Sequence, residues 1–335
     1  MSFPPELDLI GLPHTPSPEL SIVFVNWNST DYLRECIASI YTYAREVKFE
    51  IIVVDNASPQ RDVDGLKEQF PGAILIKNPE NLGFARANNL GFKHCSGRYV
   101  LFLNPDTQLM GPAIQTMLNH LRSSSNVGIV GCKLLNSDLS VQTSCIQKFP
   151  TILGQVTDIE YLRLRWPSCK LWAIASLFAE CSEPAKVEVI SGACMMMKRD
   201  VFERVGGFSE EYFMYAEDLD LCYKVSHAGF VNYYVGGAAV IHHGGKSSGQ
   251  REVNQWATRM KFMSILQFVI KSRGRFYGAS FRLAVGFAAL IRLLAIAVAF
   301  PFINRKAGQS MISKWWVVFN WAFGPGSSEG AAPSR

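Results

Sequence analysis

LSIVFVNWNSTDYLRECIASIYTYAREVKFEIIVVDNAS, residues 20–58, is the stretch on which the fold turns. Leu20–Trp27 is a short apolar, β-branched run of the kind that makes a strand buried on both faces. Asn28, Ser29, Thr30 and Asp31 are residues that open helices, and Leu33, Cys36, Ile37, Ile40 and Tyr41 then recur at helical spacing. Phe49–Val54 is a second β-branched run, stopped by Asp55-Asn56-Ala57-Ser58-Pro59. A buried strand, an amphipathic helix and a second buried strand are the opening of a parallel α/β sheet.

The pattern continues outward. Ala73–Ile76 is a third strand, Gly83–Cys95 a helix, and Tyr99–Leu103 a fourth strand stopped by Asn104-Pro105-Asp106. Val127–Leu135 and Val187–Met197 are expected as strands, Glu217–Ala228 as a helix and Phe230–Val235 as a strand. Val240–Ser248 is expected as a glycine-rich loop, and residues 150–185 have no clear period. Residues 1–19 form a Pro-rich lead-in, and from Gln255 onward the chain is helical, aromatic and basic. No repeat of 20–50 residues is present.

Composition narrows the function. Of 335 residues, 48% are hydrophobic and 18% charged, which excludes disordered and low-complexity classes. Residues 1–250 carry a net charge of −5 and residues 251–335 a net of +10, so a mildly acidic body bears a basic tail. The eight cysteines include no C-x-x-C pair, and the N-terminus has no apolar secretory core. These features predict a cytoplasmic catalytic body.

In parallel sheets, ligands gather at the carboxyl ends of the strands. Three predicted strands end in polar clusters: Asn26-Trp27-Asn28, Asp55-Asn56-Ala57-Ser58 and Asn104-Pro105-Asp106-Thr107. Each alone reads as a strand-stopping turn, but carboxylates at two of three on one edge point to a site. Neither G-x-G-x-x-G after the first strand nor G-x-x-x-x-G-K-[ST] is present, which disfavours nicotinamide and P-loop chemistry. A diphosphate would then need another source of positive charge. A divalent cation on Asp106 is the natural one. On the helix after Ala216, Asp218 shares a face with Leu221, Cys222 and Val225, whereas Glu217, Asp220 and Lys224 share another that reads as solvated. A carboxylate on the inward stripe is either a helix-terminus charge or a partly desolvated general base. Side chains alternate along a strand, so at most one of His242 and His243 faces a site; Lys246 is placed to meet a phosphate.

Six ordered segments, SIVFVNWN (21–28), IIVVDNAS (51–58), NPENLGFARANN (78–89), YVLFLNPDT (99–107), ISGACMMMKRDVFERVGGFSEEYFMYAEDLDLC (190–222) and VIHHGGKSS (240–248), together resemble the family-2 inverting glycosyltransferases of the rhamnosyltransferase-like branch. The resemblance implies a GT-A fold in residues 20–250, a mixed, mostly parallel sheet flanked by helices. Residues 20–110 would be the nucleotide-sugar half and 111–250 the acceptor half. Carried over by residue, it places Asp55, with Asn26 near it, on the nucleoside, and Asn81 and Arg86 toward the nucleotide. Asn104-Pro105-Asp106 stands where the family has Asp-x-Asp, so Asp106 and His242 would hold Mg²⁺ or Mn²⁺, with Asn104 replacing the first acid. Gly192 falls where donor sugar and acceptor meet, and Asp218 would be the catalytic base. The implied reaction moves a sugar, rhamnose among the candidates, from a nucleoside-diphosphate sugar to a glycan or polyprenyl-linked acceptor in cell-surface polysaccharide biosynthesis. The alternative is a non-catalytic carbohydrate-binding protein on the same fold.

Residues 283–303 are 21 long with one charge, Arg292. Arg275, Arg282 and Arg292 fall within a sector of about 100° on a helical wheel. With Lys271, Arg273, Arg305, Lys306, Lys314 and the tail's tryptophans, residues 251–335 read as a helical extension lying in an anionic headgroup layer rather than on nucleic acid. The expected location is peripheral, on the inner face of the plasma membrane.

Overall fold

The structure, a computed structural model, describes residues 18–59, 63–157, 159, 165–166, 169, 183–244 and 251–324. Most of the Pro-rich lead-in, Lys246 and much of 150–185 lie outside the described residues.

The first strand-helix-strand unit forms as the sequence predicts. β1 (Leu20–Asn26) and β2 (Phe49–Asp55) are parallel, with Asn26 in register with Asp55, and α1 (Thr30–Tyr43) connects them. Leu33, Cys36, Ile37 and Ile40 are its buried face. Ser29 precedes α1 but does not cap it; its hydroxyl donates to the Trp27 carbonyl instead. α2 (Asp64–Gln69) leads to β3 (Ile74–Lys77), which runs parallel to β2. α3 (Gly83–Phe92) packs on β1 and β2 and precedes β4 (Tyr99–Leu103), parallel to β1. Gly83 begins α3 at φ +77°, where a Cβ would lie 2.3 Å from the Phe213 carbonyl oxygen; only glycine fits so close to that segment.

The second half changes direction. β5 (Thr107–Leu109), α4 (Ala113–Ser123) and β6 (Val127–Leu135) come next. The single strand expected over 187–197 is divided. β7 (Ile146–Gln147) pairs with β9 (Val189–Ile190) in a small ribbon, β8 (Pro184–Val187) flanks the main sheet, and β10 (Cys194–Lys198) enters it after a turn at Ser191–Ala193. β10 runs antiparallel between β4 and β6, with Cys194 opposite Leu103. β11 (Val231–His242) pairs parallel with β6 and is longer than the sequence suggests: the irregular 236–238 stretch carries it on to His242, so 240–242 is strand rather than loop. The sheet order is β3-β2-β1-β4-β10-β6-β11-β5, with β8 also against β11.

Consequently Asn26, Asp55, Asn104 and His242 all leave the sheet at one edge, and the antiparallel β10 brings Gly192 to the same edge from the other direction. α5 (Ile152–Thr157), α6 (Arg199–Arg204) and α7 (Glu217–His227) complete the body.

The tail folds as α8 (Arg251–Arg273), α9 (Arg275–Ala299) and α10 (Arg305–Phe323). α8 is part of the body. Phe268 and Val269 are buried, Ser264 donates to the Met214 carbonyl, and Lys271 reaches Asp220 at 2.9 Å and Glu211 at 2.8 Å. This corrects the expected solvated face of α7. Asp220 is 1% exposed, held by Ser209, Tyr212, Lys224 and Lys271, and Glu217 is 6% exposed. The physical reason is α8: laid against residues 209–214, it covers the side of α7 that spacing alone leaves open to water. The arginines of α9 also differ from expectation. Arg282 donates to the carbonyls of Trp321 and Ala322, and Arg292 to that of Val156 while stacking over Trp315. Both are turned into the helical layer rather than toward a surface.

Candidate active site

Three groups of side chains lie along this edge of the sheet. In the first, Asp55 Oδ1 accepts from Asn26 Nδ2 at 3.0 Å and from Ser58 Oγ at 2.6 Å, and Ser58 in turn accepts from the Asn28 backbone N–H. Asn26 is completely buried, so it reaches a ligand only through Asp55, whose orientation it sets. Next to Asp55, Asn56 ties the strand end to the 78–83 segment: its amide donates to Asn81 Oδ1 and the Gly83 carbonyl, and its oxygen accepts from Asn78 and the Leu82 N–H. Asn81 is therefore engaged within the fold, bracing Asn56 and the Gly83 N–H. Arg86, one turn along α3, is exposed and lies 3.8 Å from Glu210; the structure does not bring it to Asp55.

The second group is Asn104, Asp106 and His242. Asp106 Oδ1 is 3.3 Å from His242 Nε2, and Asn104 Nδ2 is 3.3 Å from the same nitrogen. The His243 backbone N–H donates to the Asp106 carbonyl, which fixes the turn after β4 against the end of β11. Burial pushes the Asp106 carboxyl up, but the His242 ring beside it more than offsets this and holds it below its ordinary value. His243 points elsewhere, toward Ser137 and the Tyr32 ring, as strand alternation requires.

The third group is Gly192 and Asp218. The Asn104 N–H donates to the Ala193 carbonyl, so the Asp106 turn and the Gly192 turn are stitched together. The Gly192 N–H donates to Asp218 Oδ2 at 3.0 Å, and the Leu219 N–H to Oδ1 at 2.8 Å. A Cβ at 192 would stand 3.4 Å from the Asp218 Cβ and 3.7 Å from the Phe84 ring, so the missing side chain leaves the space between them clear. Tyr215 and Ala216, immediately before α7, both take left-handed backbone conformations, φ +67° and +63°. Such strain is sustained only where surrounding structure enforces it, and it recurs at functional sites. Burial pushes the Asp218 carboxyl above its ordinary value, opposed by the two N–H donors and the nearby Lys261 ammonium. Beside it, Glu217 is pushed up by burial and by Asp218, and its Oε2 has no hydrogen-bond partner among the described residues.

Several residues that matter here carry no signal in the sequence. Ser58 and Asn56 read as strand stoppers. Gln142, whose amide brackets His242, lies a hundred positions away from it.

Among the described residues, no cluster of three or more His, Cys, Asp or Glu forms a metal cage. Two protein donors, one carboxylate and one imidazole, suit instead a Mg²⁺ or Mn²⁺ ion that completes its shell with substrate phosphate oxygens and water.

The family model for glycosyl transferase family 2 matches residues 21–206. The N-acetylglucosaminyl-diphospho-decaprenol L-rhamnosyltransferase of Mycobacterium tuberculosis is 29% identical over 255 residues, 72% of this chain and 81% of the relative. The rhamnosyltransferase WbbL of Escherichia coli K12 is 24% identical over 66% of this chain and 82% of its own length. Among solved structures, the Pyrobaculum calidifontis mannosyltransferase PcManGT, in complex with GDP-Man and Mn²⁺, superposes with a TM-score of 0.59 at 16% identity. It covers 94% of this chain and 89% of that one. GalNAc-T7 with UDP, GalNAc and Mn²⁺ gives 0.57 at 13% identity, covering 92% of this chain and 56% of that one. These two likenesses establish the GT-A fold.

Glu217 makes stability depend on pH. A carboxyl whose folded value is raised favours the fold while protonated, so its contribution is complete below its ordinary value of 4.5 and is lost as pH rises through the raised one. Glu217→Gln keeps the size and removes the ionisation. Its melting temperature should match the parent's near pH 4.5 and exceed it by a margin that widens toward pH 9. Thermal unfolding across that range reads the effect, and a pH-independent offset would contradict it.

Proposed function

Because the chain belongs to glycosyl transferase family 2, and is a glycosyltransferase, we propose that it moves a sugar, rhamnose among the candidates, from a nucleoside-diphosphate sugar to a glycan or polyprenyl-linked acceptor in the synthesis of a cell-surface polysaccharide, with inversion at the anomeric carbon. The observation that carries this reading is the seating of Asp218. Both of its oxygens are held by backbone N–H groups, beside a glycine that leaves the approach open, and the side chain remains partly exposed. Burial raises its affinity for a proton, as a general base requires. Asp55 is engaged with Asn26 and Ser58, and Asp106 with His242, so neither competes for that role or serves as a covalent nucleophile. Of the three aspartates at this edge only Asp218 is left available, which supports direct displacement. A purely carbohydrate-binding role accounts less well for an acid held among backbone donors after two strained residues.

In this reading residues 20–110 hold the donor and 111–250 the acceptor, with 251–335 as the extension. Asp55, oriented by Asn26, meets the nucleoside; Asn81 acts behind it by bracing Asn56, and Arg86, exposed on α3 beside Glu210, is left to reach the nucleotide only by moving from that carboxylate. Asp218 takes the proton of an acceptor hydroxyl, and the oxygen so freed attacks the anomeric carbon opposite the departing diphosphate. Asp106 and His242 would hold a divalent cation, which when bound neutralises charge on the diphosphate.

Membrane attachment is part of the proposal. Arg275–Phe302 is long and apolar enough to cross a bilayer. One side of α9, however, is occupied by protein: Phe281, Val285, Ala288 and Ala289 are buried, and Gly286 lets Ala322 and Phe323 approach closely. The opposite side exposes Phe276, Phe287, Ile291, Leu294 and Val298, with Phe302 beyond it. Exposed Arg273 and Arg275 stand at one end and Arg305 and Lys306 at the other. A half-covered helix with basic residues at both ends suits an in-plane position on an anionic inner leaflet, facing the cytoplasm, better than a span. The acceptor's lipid anchor would then lie in the same plane.

Asp218→Asn is expected to lower transfer by about 10²–10⁴-fold while leaving donor binding nearly unchanged. Turnover assays with calorimetric titration of nucleotide sugars test this, and normal turnover removes Asp218 from the mechanism. Chelator is expected to suppress transfer, with Mg²⁺ or Mn²⁺ restoring it; transfer insensitive to chelator refutes the cation. The protein should float with phosphatidylglycerol vesicles, fail to do so as Ile291→Glu/Leu294→Glu, and be released by alkaline carbonate. Retention after carbonate treatment would indicate a span, and absence of flotation would remove the membrane from the account.

A further inference from the structure

We propose that Gln142 is a positioning residue for the cation site: it fixes the His242 ring and keeps the ring proton on Nδ1, so that Nε2 is the nitrogen presented toward Asp106. The proposal rests on the reading of Asp106 and His242 as metal-holding residues.

Donors and acceptors around Gln142 fix the ring. Gln142 Nε2 lies 2.6 Å from the His242 carbonyl oxygen. A carbonyl oxygen has no proton to give, so the amide nitrogen, and not the amide oxygen, must occupy that position. This fixes the other half of the amide: Gln142 Oε1 faces His242 Nδ1 at 2.9 Å. An amide oxygen only accepts, so Nδ1 must donate. When the ring is neutral its one proton is therefore held at Nδ1 and Nε2 carries the free lone pair; a ring protonated at both nitrogens gives its Nε2–H to Asp106 instead, the contact that keeps that carboxyl low. That nitrogen stands 3.3 Å from Asp106 Oδ1 and 3.3 Å from Asn104 Nδ2. For the neutral ring Asn104 supplies one weak donor, but a lone pair facing a carboxylate oxygen is otherwise unfavourable, and a cation between them would relieve it.

Gln142 is itself held. Its N–H donates to the Leu134 carbonyl, its carbonyl accepts from the Cys145 N–H, and Val141 bridges back to Leu135. The Asn136–Ser140 turn closes this hairpin off β6. One side chain thus grips His242 at both backbone and ring from an ordered return of the neighbouring strand. Metal-bound histidines commonly donate their other nitrogen to such an outer partner, and loss of the partner typically weakens metal binding about 10–100-fold.

The test reads metal and ring separately from turnover. Mn²⁺ alone is titrated into the full chain and followed by the electron paramagnetic resonance of the free ion. The ring protonation of His242 is read by long-range ¹H–¹⁵N correlation in the metal-free parent, assigned with His242→Ala. The parent ring should be the Nδ1–H form. Gln142→Met, similar in length but unable to hydrogen-bond, should bind Mn²⁺ about 10–100-fold more weakly, with an unchanged near-ultraviolet dichroism spectrum. A parent ring protonated at Nε2 alone overturns the proposal without any variant. So does Gln142→Met that binds Mn²⁺ like the parent while His242→Ala and Asp106→Asn do not. If His242→Ala and Asp106→Asn also bind like the parent, the metal reading itself fails and the proposal goes with it, a pattern distinct from the previous one.

Discussion

The antiparallel insertion of β10 beside β4 is the constraint on which the site depends. Had that strand run parallel, the turn at Ser191–Ala193 would lie at the far edge of the sheet. Instead Cys194 pairs with Leu103, and the Asn104 N–H reaches the Ala193 carbonyl. The neighbouring Gly192 N–H then has Asp218 as its acceptor. Three segments distant in sequence, around 104, 192 and 218, are thereby fixed to one another: a main-chain hydrogen bond joins the first two, and the Gly192 N–H holds the Asp218 carboxylate. Preorganised donors of this kind keep their orientation through a reaction and so cost little to reorganise.

Polar residues at the edge fall into two kinds. Asn26, Asn56, Asn81 and Ser58 are spent on each other and on Asp55, holding the strand end in a single arrangement. Asp218 and the Asp106–His242 pair have the chemistry left over. The body tolerates buried acid elsewhere only where it is answered. Glu50 accepts from Ser21, Ser96 and Gly97 at the opposite edge, and Asp220 is met by two ammonium groups. Glu217 is the exception, buried beside Asp218 without a partner for Oε2 among the described residues.

Most of the first half was legible because a parallel sheet writes itself as apolar runs with polar stops. β1, β2 and β4 and the helices between them lie where the runs and the helical spacing place them. The legibility ends where tertiary contacts override local pattern. Glu217 and Asp220 sit on what spacing marks as a solvated face, yet α8, more than thirty residues later, covers it. Arg282 and Arg292 look like headgroup contacts on a helical wheel, yet they cap carbonyls of α10 and α5. Gln142 gives no local sign at all, since its role follows from the return off β6 meeting the end of β11 a hundred residues later. The strand-end and helix-face readings, joined by the resemblance, single out Asp106 and Asp218 as candidates, whereas the bracing around them is visible only in three dimensions.

Lys271 makes a mechanical link of what the sequence presents as an appendage. Through Asp220 and Glu211 it fastens α8 to both sides of the segment that leads into Asp218. The tail is thus a keel and not a tether. On a membrane, as proposed, a surface that held this tail would also set the height and tilt of the Asp106 and Asp218 edge, and the reach to a substrate would come from the substrate's own length.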